Sequence, residues 1–243
     1  MRLFDSNPLR TTARALTTAT LAVACSLALV STAQAAGSIV LYENSLKSSA
    51  GRDEVRQFGN DTCKRGGSSK AFRATVGKKT RECFYRTQTV GRDLDISISA
   101  RLFKSTPKKV RAQAYVAVNL RQARDGSRYQ LAVYPSGGRF HLKKVLDNGR
   151  ILDLEHGKLG NKIKGFDEAN KLRLSAYNDV AGVASGTARL VAFINGNKVA
   201  VVDDPRGNLL QGQDTTFSIG SKKNATGAIG SFTSLTVRAP DPF

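Results

Sequence analysis

Acidic side chains are scarce in this chain. Asp and Glu number 19 against 38 Lys and Arg, a formal net charge of +19 over 243 residues. Only five of the acids are glutamates (Glu43, Glu54, Glu82, Glu155 and Glu168), and none has an acidic residue two positions on. No glutamate therefore has an acidic partner one pleat further along its strand, an arrangement that could aim two carboxylates at a glycosidic bond. Asp93 and Asp95 share a strand face, but no glutamate completes the set and Arg92 adjoins them, so they read as salt-bridge partners at a strand edge. Histidines number two and cysteines three. His141 and His156 lie far in sequence from any cysteine, which argues against a zinc site. Asp203-Asp204 with Asp214 is the one candidate calcium set, and Pro205-Arg206 interrupts it, so a turn is expected there. No metal and no cofactor is expected. Past residue 35 there is no apolar run of membrane length, no amphipathic stretch long enough for a useful helix and no repeat.

The first residues form a leader. Arg2, Arg10 and Arg14 make a positive n-region, Leu16 to Val30 is mostly apolar, and Ala33-Gln34-Ala35 is a small-x-small cleavage site. This is the pattern of a secretory signal peptide. Cys25 in "AVAC" sits as a lipobox cysteine would, but Ala22 stands where leucine is usual and the apolar run continues as "SLALV". It reads as part of the apolar segment. The expected organisation is a signal peptide at 1–35 and a single β-sandwich domain at 36–243, secreted or cell-wall associated, with no transmembrane segment in the mature chain. Two cysteines remain, Cys63 and Cys83, and an even pair in an exported chain predicts a disulfide.

What is abundant is strand pattern. "LDISISARLF" (94–103) alternates strictly, with Leu94, Ile96, Ile98 and Ala100 on one side. "VRAQAYVAVNLR" (110–121) continues the period of two from Val110 to Leu120, and a dozen similar runs complete the chain. "ARDGSR", "LDNGR" and "INGNK" supply hairpin turns. The expected fold class is all-β: a two-sheet antiparallel β-sandwich or jelly roll, with Ile96, Val116, Val118, Leu131, Leu174, Phe193 and Phe232 in its core. In the Asn195-Gly196-Asn197 hairpin, Val199 and Val201 are expected to face inward opposite Val191 and Phe193, as wall of the core rather than binding surface.

The order of these runs resembles the concanavalin A-like lectin/glucanase superfamily, in the variants found in secreted bacterial proteins. The resemblance rests on the strand holding Tyr129, on Asn170-Lys171-Leu172-Arg173-Leu174, on the Asn195-Gly196 hairpin and on a final strand with Phe232 and Val237, across about residues 85–239. "VGRDLDIS" and "RAPDPF" also resemble stretches of exported bacterial proteins. The resemblance implies a sandwich with a carbohydrate-facing sheet; the glucanase carboxylates and the contiguous motifs of polysaccharide lyases are missing.

One strand face stands out. Alternation puts Arg111, Gln113, Tyr115, Asn119 and Arg121 on the non-core side of 110–121, Arg128, Gln130 and Tyr134 on that of 127–135, and Arg139, His141 and Lys143 on that of 138–146. Of these, Tyr115, Asn119, Arg121, Arg128, Gln130, Tyr134, His141 and Lys143 form the candidate binding set. Arg suits carboxylates or phosphates, Tyr suits stacking, and Asn and Gln suit hydroxyls. A solvated sheet face would have the same pattern. The basic excess attracts polyanions in general, but the aromatic-and-basic interleaving of a nucleic-acid-binding sheet is absent, so no specific nucleic-acid partner is expected. Two functions follow: an exported non-catalytic module binding carbohydrate or an anionic cell-surface polymer, or a carbohydrate-active enzyme of lyase or hydrolase type working from this face.

Overall fold

The computed structural model describes residues 38–240 apart from 60, 61, 69, 179–183, 208, 209, 211, 223 and 224. The leader at 1–35 and Cys25 lie outside the described residues. Along the chain come β1 (Ser38–Asn44), α1 (Ser49–Asp53), β2 (Arg56–Phe58), β3 (Cys63–Ser68), β4 (Ala71–Val76), β5 (Glu82–Val90) and β6 (Leu94–Leu102). After α2 (Lys108–Arg111) follow β7 (Ala114–Gln122), β8 (Arg128–Tyr134), β9 (Arg139–Val145), β10 (Ile151–Lys158), β11 (Asn170–Asn178), β12 (Ala188–Ile194), β13 (Asn197–Asp204), β14 (Asp214–Ser221) and β15 (Ile229–Pro240). All pairings are antiparallel. One sheet runs β13-β12-β11-β6-β15-β4-β3, with β1 also on β15; the other runs β10-β9-β8-β7-β14-β5-β2.

The two sheets bury one apolar layer between them. Ile96, Val116, Val118, Leu131, Leu174 and Phe232 are all within it, fully or almost fully buried. Phe193 is not: it is half-buried on the outer face, with the Arg173 guanidinium over its ring at 5.0 Å. The run "ARLVAFI" is apolar at both parities, so alternation alone does not choose a side. Pairing does. Leu172 and Leu174 of β11 stand opposite Ile194 and Ala192, which brings Leu190, Ala192 and Ile194 inward and turns Val191 and Phe193 out. In β13 Val201 is accordingly exposed and Ala200 buried, with a register shift beside Phe193. The hairpin itself is a tight turn on the wall of the sandwich, with φ of 51° at Asn195 and 81° at Gly196. Upstream, β7 begins at Ala114 rather than Val110. Pro107 opens a single helical turn, α2, which buries Val110 and takes Arg111 and Gln113 off the strand.

Charged groups also lie between the sheets. Arg121 is fully buried, and this corrects its expected place on the polar face. Its φ is 53°, and β7 and β14 shift register beside it: Asn119 pairs with Thr216 but Gln122 with Asp214. This bulge turns Arg121 inward and gives its outer place to Gln122. The guanidinium donates to the carbonyls of Arg92 and Gly207, to Asp93 Oδ1 and to Asn178 Oδ1. On β9 Lys144 also points inward and donates to Asp204 Oδ2 at 2.7 Å, an oxygen that accepts from Tyr129 as well. Asp204 thus neutralises a buried lysine, and Pro205-Arg206 just beyond it form the expected turn. Asp93 and Asp95 pair with Arg121 and Arg173, as salt-bridge partners should.

The stretch that begins at Cys63 is a strand, β3. β3 pairs with β4 at the edge of its sheet, and Cys63 bonds Cys83 on β5 of the opposite sheet, with Cα atoms 5.9 Å apart. The bridge staples one sheet to the other. Replacing both cysteines by serine is expected to lower unfolding free energy by about 3 kcal/mol in urea titration, with far-UV circular dichroism unchanged, because the released loop regains chain entropy.

Candidate functional site

The outer face of the seven-stranded sheet is concave, and its side chains show why. Glu82 on β5 and Gln130 on β8 are separated by β14 and β7, about 14 Å across a flat sheet. Yet Gln130 Nε2 donates to Glu82 Oε1 at 2.7 Å, and Arg128 Nη2 donates to Glu82 Oε2 at 3.0 Å. The sheet must curl for these groups to meet. The strands between present small residues: Gly220 stands beside Tyr115, and a Cβ there would fall 2.7 Å from the Tyr115 hydroxyl.

Around Glu82 the face is closed by hydrogen bonds. Ser218 Oγ donates to Glu82 Oε1 at 2.6 Å, and Gln130 Nε2 also donates to Asn119 Oδ1 at 2.7 Å. Asn119 Nδ2 donates to Thr216 Oγ1, which in turn donates to Gln122 Oε1 at 2.7 Å. Asn119 and Gln130 are completely buried. They were expected to meet sugar hydroxyls; instead Gln130 Nε2 and both polar atoms of the Asn119 amide hold the floor together, while Gln130 Oε1 is buried with no partner among the described residues.

The tyrosines have moved role in the same way. Tyr115 and Tyr134 are 4% and 1% exposed and pack with ring centroids 5.3 Å apart. Lys143 lies over the Tyr115 ring and Lys222 over the Tyr134 ring, each at 5.3 Å. Rings covered by cations cannot stack on a sugar; they hold the ammonium groups in place. Arg128 is held likewise, 4.6 Å above Phe84. Burial raises both phenols well above the ordinary tyrosine value, and the Glu82 charge adds to it. Both remain protonated at neutral pH.

Above this floor opens a cleft of about 710 Å³. The structure thus brings Tyr115, Asn119, Arg128, Gln130, Tyr134, His141 and Lys143 to one face, as alternation implied, and excludes Arg121. What the sequence reading missed is the rim. Lys79, Arg81 and Lys222 line the cleft and are exposed. They come from the turn before β5, from its entry and from the end of β14, strands that join the face only through long-range pairing. Ile151 and Asp153 of β10 form the far wall. His141 Nδ1 lies 3.6 Å from Asp153 Oδ1, and its ring is 5.4 Å from that of His156. Burial lowers the His141 pKa below the ordinary imidazole value; Lys222, His156 and Lys143 push the same way and Asp153 opposes them. Lys143 is lowered too, first by burial. Among the described residues no group of three or more His, Cys, Asp or Glu is placed to hold a metal, and no helix is long and apolar enough to cross a membrane.

No protein-family model matches the chain, and no curated protein matches it in sequence. Solved structures match it in fold. A protein of unknown function with a galectin-like fold from Bacillus subtilis is 9% identical, with a TM-score of 0.58 covering 83% of this chain and 97% of its own. The carbohydrate-binding module CBM66 from Bacillus subtilis is 13% identical, with a TM-score of 0.52 over 76% and 96%. Alginate lyase vAL-1 from Chlorella virus is 11% identical, with a TM-score of 0.53 over 82% and 99%. At such identities the likeness is one of architecture, and with the two antiparallel sheets above it makes this chain a concanavalin A-like β-sandwich.

Proposed function

We propose that the chain is an exported, non-catalytic module whose concave face binds an anionic carbohydrate polymer. One observation carries this: the cleft is lined by five bases, Lys79, Arg81, Arg128, Lys143 and Lys222, against two acids, Glu82 and Asp153. Glu82 is already neutralised by Arg128, and Asp153 faces His141. Among the described residues Lys79, Arg81, Lys143 and Lys222 make no ion pair, and this excess positive charge calls for an external anion. Export is supported by the leader pattern in 1–35 and by the Cys63–Cys83 bridge, a bond of oxidising compartments. A carbohydrate carrier for the anion is supported by the fold, which a carbohydrate-binding module and an alginate lyase share.

Absence of catalysis is supported by how the polar groups are engaged. A hydrolase needs one carboxyl free to give a proton and a second to attack or activate water. Both oxygens of Glu82 accept hydrogen bonds from Gln130, Ser218 and Arg128. The alternative is a lyase, and one observation favours it: His141, neutral at pH 7, stands 5.6 Å from the Tyr134 ring in a cationic cleft. Such a pair suits removal of the proton beside a uronate carboxylate, with a C=C bond formed and the glycosidic C–O bond broken. Incubation with alginate and polygalacturonate is expected to give no unsaturated product; its appearance would replace the binding module by an enzyme.

Two variants of equal charge test the site. Arg81→Gln/Lys222→Gln alters the exposed rim, whereas Lys108→Gln/Lys109→Gln removes two exposed charges on α2 that do not line the cleft. By calorimetry with dextran sulfate at fixed salt, the first is expected to weaken binding by roughly a hundred-fold, from about 1.5 kcal/mol for each of the two lost charge-assisted contacts. The second should change it by less than about two-fold. Equal losses would mean that net charge governs binding.

Acidity gives a second readout. An anion in the cleft favours the protonated form of His141, which burial disfavours in the free protein. Binding should therefore take up a proton, and affinity for dextran sulfate should rise as pH falls below about 6.5. The rise should be reduced in His141→Gln. A flat profile between pH 7.5 and 5.5 would exclude His141 from the site.

A further inference from the structure

The opposite face of the molecule carries an arrangement that the cleft does not use. On the outer side of the eight-stranded sheet, Ser231 of β15 stands between Arg73 of β4 and Arg101 of β6, in direct register with each. The three side chains form one row across three adjacent strands. Phe103, just past the end of β6, lies under both arginines, with guanidinium carbons 4.8 and 4.9 Å from its ring centroid. Two like charges gathered on one phenyl ring repel each other, and a carboxylate between them would be the ordinary remedy. None is there: among the described residues neither Arg73 nor Arg101 makes an ion pair. Asp95 and Asp203, on the same face, are already held by Arg173 and Arg189.

We propose that Arg73, Arg101 and Ser231 form a second anion site, on the convex face, for a tetrahedral oxyanion: a phosphate or sulfate group. The donor inventory supports that class. Arg101 spends its Nε hydrogen on Ser231 Oγ at 2.8 Å, which fixes its fork; among the described residues its terminal nitrogens make no hydrogen bond. Arg73 is exposed and brings its own fork from the other side. Ser231, 4% exposed, accepts from Arg101 and keeps its own hydroxyl proton to give. A carboxylate offers two oxygens in one plane and is satisfied by a single fork. A tetrahedral group offers oxygens in three directions, which two forks and a hydroxyl beneath them match. Gly66, paired with Arg73 on the far side, has open space where a Cβ would stand, so the approach is not walled off there. The site stands independently of what the cleft binds.

The arginine Nε–H resonances of the protein read it out. Titration with sodium sulfate and with inorganic phosphate, against sodium chloride at equal ionic strength, should move the Arg73 and Arg101 signals along a saturating curve with the oxyanions only. Arg73→Gln and Arg101→Gln should each weaken the response of the remaining arginine about ten-fold or more. Ser231→Ala, which frees Arg101 Nε, should weaken it several-fold. Arg81→Gln/Lys222→Gln, on the other face, should leave it unchanged, so failure of the cleft and failure of this site are separable. Displacement of sulfate by dextran sulfate but not by dextran identifies a polymer-borne group as a ligand; its absence identifies the free ion. The proposal is overturned if sulfate and chloride give the same linear shifts, or if Arg73→Gln/Arg101→Gln keeps the saturating sulfate response of other residues on this face.

Discussion

The carboxylate of Glu82 is the interaction on which the concave face depends. It accepts from Gln130 and Ser218 on one oxygen and from Arg128 on the other, and these partners lie on β8 and β14. A buried acid in that position without donors would be costly, and three buried donors without it would be too. Each strand is therefore held to the others by groups that have no better alternative. The curl of the sheet, the depth of the cleft and the placing of Lys143 and Lys222 over the tyrosines all follow from strands drawn together over Gly220.

Two kinds of cation serve two ends here. Arg121 and Lys144 are sealed between the sheets, and their partners are Arg92, Asp93 and Gly207 from loops and Asn178 and Asp204 from the ends of β11 and β13. Arg121 ties loops to the sandwich and Lys144 joins one sheet to the other, and both side chains are buried. Lys79, Arg81 and Lys222 hang from strand ends with solvent before them. A formal charge count treats the groups alike; burial separates them.

The class of fold was legible in sequence because apolar and polar residues alternate strictly in strands such as β6, whose Leu94, Ile96, Ile98 and Ala100 all enter the core. It failed where both parities are apolar, as in β12, since the pairing of Leu172 and Leu174 then decides the side. It failed again at Arg121, where one bulge reverses the sense of the strand and no local pattern marks it. Of the cleft, the β7, β8 and β9 residues were legible because these strands are consecutive and joined by tight turns. The contribution of β5 and β14 was not, because β14 enters beside β7 from about a hundred residues away. Even where placement was right, burial changed the part played: alternation says which way Tyr115, Tyr134, Asn119 and Gln130 point, but not that neighbours will cover them.

The staple between the sheets has a consequence for the key acid. Cys83 is the next residue along β5 from Glu82, and its partner Cys63 lies on an edge strand of the other sheet. Oxidation thus anchors the backbone that presents the key acid. In a reducing compartment the same apolar layer would still collapse, but the strand bearing Glu82 would lack its covalent anchor. At that end of β5 the carboxylate would then be held in place by its hydrogen bonds to Gln130, Ser218 and Arg128 alone.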